Sequence, residues 1–315
     1  MIAIVTSALF TPRDTVGVVS TGTLRHAVGV VSTGTPNRDP PDAGAVHHVC
    51  LTYDFDAVAA WLANDMPEFS SWGVFGAETG APRLLDLHDR YDVPSTWFVP
   101  GHTAESFPGV AGRIHDDGHE IAHHGWSHEA LPTLSAREER ADFERGIEVL
   151  TELTGERPTG FRAPDGGFSS RTVDLLETFD FAWDSSEGVR DVRPYRLRTG
   201  ATVERGEVYE PGRETDIVEV PVVWHRDDWM QLFPVVSGPE WVAYSEEPAV
   251  FDRWRREFDW MRDHVSSGVF TLLLHPQCAG RVPFVAELET LVEDVLAMND
   301  VTFSTCGDVA SAFDG

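Results

Sequence analysis

Five short segments of this 315-residue chain carry the side chains that hydrolysis at a bound metal requires. They are Thr52-Tyr53-Asp54-Phe55-Asp56, His124-Gly125-Trp126-Ser127-His128, Phe161-Arg162-Ala163-Pro164, Asp184-Ser185-Ser186 and Leu274-His275-Pro276. Among them are two carboxylates two apart, two histidines four apart, an arginine and a late histidine. Each segment alone is a weak signal, and the set is informative because its members complement one another.

A spacing of two puts Asp54 and Asp56 on one face of a strand end, where two carboxylates repel unless a cation or an arginine joins them. Solvated aspartates in a turn are the competing reading. The apolar Val49-Cys50-Leu51 before them favours a strand fixed in a core. His124 and His128 come to one side of a helical turn, and neutral imidazoles suit a divalent metal near neutral pH. Such a pair is common by chance in a chain with 13 histidines, and His119 and His123 are read as core or surface residues. With Asp56 as third ligand the set has two nitrogens and one oxygen, which leaves coordination open for water, as at a catalytic zinc. Arg162 either pairs with a surface acid or holds Asp54 ionised and oriented. His275 is either a satisfied core residue or a proton donor to a leaving group.

These residues need a scaffold of alternating strands and helices. Strands are expected at His48–Tyr53, Ser95–Val99, Glu120–Ala122, Gly160–Ala163, Phe181–Trp183, Ile217–Val223, Val269–Leu274 and Val301–Ser304. Helices are expected at Pro82–Tyr91, Glu105–Asp116, Arg171–Phe179, Val250–His264 and Val282–Met298. A further helix starts at Ser135, which has Glu138 at capping-box spacing, carries Phe143, Ile147, Leu150 and Leu153 at helical intervals, and stops at Gly155. Repeated strand–helix units imply an α/β fold with a parallel sheet, open or closed into a barrel, and the candidate residues fall near strand C-termini. Trp61, Phe69, Trp72 and Phe75 make the loop after the first strand unusually aromatic, which suits a lid or subunit contact. Trp224, Asp227, Asp228 and Trp229 follow a strand into another loop, where they line a pocket or, for Trp224, pack in the core.

The chain is 42% hydrophobic, has 52 acidic and 24 basic residues, a formal charge of -28 and no lysine. That composition fits a folded protein suited to high salt rather than a disordered one. It argues against nucleic acid as the main partner, and the absence of lysine excludes Schiff-base chemistry and a P-loop lysine. Cys50, Cys278 and Cys306 form no CxxC, so a thiolate zinc site and a disulfide framework are not expected, and a reducing cytosol is. No run is long and apolar enough for a bilayer, so a membrane partner is not expected either. Residues 1–45 differ from the rest: Val-Gly-Val-Val-Ser-Thr-Gly-Thr occurs at Val16–Thr23 and again at Val28–Thr35. They are expected to be a poorly ordered extension before a catalytic domain at 46–315.

Taken in order, the five segments resemble the polysaccharide deacetylase family (NodB-homology, carbohydrate esterase family four) over roughly His47 to the C-terminus. The resemblance implies a deformed (β/α) barrel with parallel strands and a metal-dependent hydrolase of non-peptide carbon–nitrogen bonds. It implies Asp54 as base, Asp56, His124 and His128 as ligands of Zn²⁺ or another divalent transition metal, Arg162 as the residue that tunes the base, and His275 as acid. Asp184 falls in the fourth motif region, while Trp126, Asp228 and Trp229 are expected to touch substrate. Phe55 departs from the adjacent aspartates of most extracellular members. With His-Gly-Trp-Ser-His, Phe-Arg-Ala-Pro and the run from Pro221 to Asp228, it is similar to an intracellular subgroup of peptidoglycan-deacetylase-like, allantoinase-like and cyclic-imidase-like proteins. That subgroup implies a cytoplasmic homo-oligomer with closed pockets, acting on an acetylated aminosugar or related small amide. A metal-independent allantoinase-like or cyclic-imidase-like amidohydrolase is the competing enzyme. A non-catalytic binding protein on the same fold is the competing class, which the intact acid, base and ligand set disfavours.

Overall fold

The structure, a computed structural model, describes residues 46–232, 236–237, 240–241 and 245–313. The expected N-terminal extension lies outside these described residues. The first strand, β1 (His47–Asp54), reads HHVCLTYD, with every residue but His48 buried. Its alternation separates two layers. Val49, Leu51 and Tyr53 join the large cluster under the helices, whereas Cys50 turns inward to Phe98, Trp183 and Val218. Thr52 and Asp54 share the Cys50 face by the two-residue period of a strand.

Strands β2 (Thr96–Val99), β3 (Glu120–His123), β4 (Gly160–Phe161), β5 (Trp183–Asp184), β6 (Tyr195–Thr199) and β7 (Arg213–Glu219) follow in turn. A separate antiparallel pair, β8 (Val236–Ser237) and β9 (Glu240–Trp241), precedes β10 (Val269–Leu274) and β11 (Val301–Phe303). The main sheet runs β10-β1-β2-β3-β4-β5-β7-β6, and β11 also pairs with β1. All pairings are parallel except β6 with β7. One edge of β1 is divided, with β11 along His47–Val49 and β2 along Thr52–Asp54, so the sheet curls there rather than closing regularly. The expected deformed (β/α) barrel with mainly parallel strands is what forms. No described helix is long and apolar enough to cross a membrane.

The helix Ala136–Thr154 begins on the reciprocal Ser135–Glu138 capping box and ends at Gly155 with φ 77°. Such a cap stabilises a helix by about 1 kcal/mol. The expected helix Glu105–Asp116 is instead two, Gly101–Ser106 and Pro108–Asp116, because Pro108 opens a new first turn. The aromatic segment after β1 is mostly helical: Ala59–Ala63, Ser70–Phe75 and a π-helical turn, Gly76–Gly80. Gly80 permits close packing, since a Cβ there would lie 2.1 Å from the Pro276 carbonyl oxygen. The short helix Pro276–Ala279, which begins directly after His275, is thereby seated against this turn.

Candidate metal centre at the strand ends

Asp54 ends β1, His124 follows β3, Arg162 follows β4, Ser185 follows β5 and His275 follows β10. Parallel strands therefore deliver these side chains to one end of the sheet, where β/α folds hold their chemistry. Asp54 Oδ1 accepts a hydrogen bond from Arg162 Nη1 at 2.6 Å. The same nitrogen donates to Thr52 Oγ1 at 3.0 Å, while Nε and Nη2 donate to the Ser185 carbonyl (2.6 Å) and Ser185 Oγ (2.9 Å). The guanidinium carbon lies 3.8 Å from the Phe98 ring centre. A buried cation is costly unless its donors are satisfied, and this fork is satisfied on three sides.

His124 and His128 do not occupy a helical turn, contrary to the expectation from their spacing. They lie in a loop that leaves β3, with Gly125 at φ 70° and His128 at φ 61°. The left-handed turn at His128 costs about 1 kcal/mol or more and needs external support. Asp142 of the helix Ala136–Thr154 provides it, accepting from the backbone N–H of Trp126 (2.9 Å), that of Ser127 (2.9 Å) and Ser127 Oγ (2.7 Å). A Cβ at position 125 would stand 2.7 Å from that carboxylate.

The imidazole of His124 is oriented by its partner. Nδ1 lies 2.8 Å from the Arg162 carbonyl, which can only accept, so Nδ1 carries a proton; burial lowers the pKa of this imidazole, and in the neutral ring Nε2 then carries a lone pair. That Nε2 faces Asp54 Oδ2 at 3.7 Å and Asp56 Oδ1 at 3.6 Å, and His128 Nε2 is 3.4 Å from Asp56 Oδ1. His124 Nε2 and Asp56 Oδ1 are buried and accept no hydrogen bond from any described residue. A lone pair pointed at carboxylates is favourable only around a cation. One ligand atom from each of Asp56, His124 and His128 lies within 4.8 Å of the others. Tetrahedral bonds of about 2.1 Å place ligand atoms about 3.4 Å apart, close to these separations. The three residues fit a divalent ion.

His275 approaches from the other side, with Nε2 3.8 Å from Asp56 Oδ2. Asp228 accepts from the His275 backbone N–H (2.9 Å) and lies 2.7 Å from its Nδ1. Burial opposes charge on this imidazole, but the Asp228 bond and the nearby carboxylates outweigh it and push the pKa up to about 10. Asp228, expected to touch substrate, is fully buried behind His275. Trp229 stands with its ring 5.5 Å from His275 and 5.5 Å from Trp61, which also packs on Phe69 and Trp72. Trp126, also expected to touch substrate, lies under Arg145 at 3.3 Å and donates its indole N–H to Glu105 at 2.7 Å. Trp224 is exposed and not in the core.

Asp184 does not reach Arg162. It bonds Ser186, and Ser185 meets the arginine instead. Asp227, Asp228 and His275 form another group of potential ligand atoms within 4.8 Å, but Asp228 already shares the His275 proton. Burial pushes Asp227 up to about 7, against the pull of His275. Sequence reasoning left Asp142, Ser185, Ser186 and Glu219 without a role. The available signals were an acid beside Phe143 on an apolar helical stripe and an acid inside the apolar run Ile217–Val220.

A family model described as polysaccharide deacetylase matches residues 48–182. The chain is 33% identical over 279 residues to a peptidoglycan deacetylase of Helicobacter pylori, covering 84% of this chain and 95% of that protein. It is 31% identical to the peptidoglycan deacetylase-like protein FGM2 of Gibberella zeae, covering 80% and 81%. A Mycobacterium smegmatis structure assigned to the polysaccharide deacetylases superposes with TM-score 0.74 at 35% identity, over 86% of this chain and 92% of that one. Puue allantoinase shares the fold, at TM-score 0.68 and 21% identity over 92% and 97%. With identity of this extent to full-length relatives, the chain belongs to the polysaccharide deacetylase family, hydrolases of carbon–nitrogen bonds other than peptide bonds.

Proposed function

We propose that this protein removes the acetyl group from an N-acetylated aminosugar, or cleaves a related small amide, with a divalent metal at Asp56, His124 and His128. The observation that carries the reading is a pair of buried acceptors that take no hydrogen bond from any described residue, His124 Nε2 and Asp56 Oδ1, 3.6 Å apart beside Asp54 and with His128 Nε2 3.4 Å from the latter acceptor. Two imidazoles and one carboxylate suit Zn²⁺. An ion held there supplies Lewis acidity toward the amide carbonyl and makes water acidic enough to ionise near neutral pH.

The chain's own groups do the rest. Asp54 accepts the proton of the attacking water, while Arg162 holds one of its oxygens and leaves Oδ2 on the His124 side. His275, kept charged by Asp228, donates its Nε2 proton to the departing nitrogen, so that acetate and a free amine leave. Trp229 and Trp61 form an aromatic wall beside His275 against which a sugar or other small ring rests.

The test is Asp54→Asn, assayed on acetylated aminosugars and cyclic imides in high salt. Zinc content is expected to stay near that of the wild type while turnover falls about 100-fold or more. Loss of zinc from a folded variant would make Asp54 a ligand and sink the assignment of the base.

A further inference from the structure

We infer that Asp184 and Glu219 form a proton-sharing carboxyl pair that positions Arg162 and His124 together. Its consequence for turnover rests on the reaction proposed above; its structural content does not. The two residues are Cα partners on the adjacent parallel strands β5 and β7, and both are fully buried. Neither forms an ion pair with any described residue. The backbone N–H of Ser186 lies 2.9 Å from Asp184 Oδ2 and 3.0 Å from Glu219 Oε1, so the two carboxyls converge on one donor. Two ionised carboxylates that converge on one donor in a dry sheet repel strongly, and a single proton held between them removes the repulsion.

The surroundings favour that proton. Burial raises both carboxyls; the neighbouring Asp184 raises Glu219 further, while the contact with Glu219 pulls Asp184 part of the way back, as expected when one proton serves two acids. The titratable groups that face the pair are Glu187 from the following loop and Tyr195 from β6, neither of which brings positive charge. The Arg162 guanidinium reaches the pair through Ser185, and the backbone N–H of the next residue, Ala163, reaches it through Ser186.

The pair pins a three-residue loop. Glu219 Oε1 accepts from the backbone N–H groups of Ser186 and Glu187, and Asp184 Oδ1 accepts from Ser186 Oγ at 2.8 Å. Ser186 Oγ in turn accepts the Ala163 N–H at 2.8 Å, while Ser185 takes Nε and Nη2 of Arg162. The Arg162 side chain then holds Asp54, and its carbonyl holds Nδ1 of His124. A single buried acid pair thus fixes both ends of Arg162, the end that meets the base and the end that sets an imidazole tautomer. Asp184 and Glu219 are positioning residues in this scheme.

The experiment uses the full chain stripped of metal, comparing wild type, Glu219→Gln and Glu219→Ala. An infrared difference spectrum, wild type minus Glu219→Gln at about pH 8, is expected to contain the carbonyl stretch of a protonated carboxyl. Glu219→Gln keeps a donor between the strands, so its zinc affinity is expected within about 3-fold of wild type, whereas Glu219→Ala loses about 10-fold or more. Absence of the carboxyl band, or wild-type zinc affinity in Glu219→Ala, overturns the inference. Should Glu219→Ala fail to fold, Ser186→Ala takes its place, with the same loss of affinity expected and the same reversal if affinity is unchanged. Turnover surviving in Asp54→Asn, with the band and the affinity ratio as expected, would remove the proposed reaction and leave the pair standing.

Discussion

At His275 the decisive neighbour is Asp228. Its carboxylate binds both the backbone N–H and Nδ1, so the ring is fixed with Nε2 toward Asp56 and carries its charge at neutral pH. Asp228→Asn preserves the shape but removes the charge that outweighs burial. The pKa of His275 should then fall and kcat should drop about 100-fold, a typical contribution from a positioned acid. Zinc content should be unchanged, because Asp228 is not among Asp56, His124 and His128. Steady-state rates with metal analysis on the same sample check this, and an undiminished kcat would remove His275 as proton donor. Asp54, Asp56, His124, His128, Arg162 and His275 stand out in the sequence as a candidate set because hydrolysis at a metal needs those residue types in one chain. Their convergence is now visible in the contacts among them. Asp228 as the partner of His275 was not legible, since it comes 47 positions earlier and meets the histidine only through strand pairing. Tryptophan identity alone likewise did not separate Trp126, held by Arg145 and Glu105, from Trp229, which stands against His275.

Among the elements, the loop from His124 to His128 depends on a helix remote in sequence. Asp142 satisfies two backbone N–H groups and a hydroxyl of that loop and sits against Gly125. Asp142→Ala leaves those donors without their acceptor and releases the left-handed turn at His128. The expected result is a 10- to 100-fold weaker zinc affinity, the range seen when support behind metal ligands is removed. Competition titration with a chelator reads it directly. Unchanged affinity would mean that the ligands hold the loop without help. The helix that carries Asp142 could be read from sequence almost residue for residue, because Ser135, Glu138 and Gly155 are local signals whose effect does not depend on the rest of the fold. β10 was equally clear, an apolar run stopped by Pro276. Strands β4 and β5, two residues each, and the antiparallel β6 were not well resolved, because pairing with neighbours, not local periodicity, decides where they end. The HxxxH spacing misled for the same reason: the loop takes its shape from Asp142 and from two left-handed residues, which a four-residue interval does not encode.

For the molecule as a whole, the dominant number is the charge of -28, from 52 acids and 24 arginines. Even if every arginine were paired one to one, 28 acids would remain without a basic partner, since 52 minus 24 is 28. Several arginines are in fact shared, as Arg255 is between Asp252, Glu287 and Asp294, which spreads a scarce charge over more carboxylates. Repulsion among exposed carboxylates acts over the Debye length, about 10 Å at 0.1 M salt and about 3 Å at 1 M. The Arg162–Asp54 contact is buried and is screened much less. Salt should therefore stabilise the fold without loosening the site. We expect the thermal midpoint to rise steeply between about 0.1 and 1 M potassium chloride and then to flatten as screening saturates. Zinc affinity, corrected for ion activity, should change far less. Sucrose at matched osmolality separates the causes, because it strengthens burial without screening charge. A midpoint that follows sucrose as closely as potassium chloride, or that stays level across the salt range, would mean that the acidic surface does not limit stability. The arginine-only basic set would then have to be explained by its contacts alone.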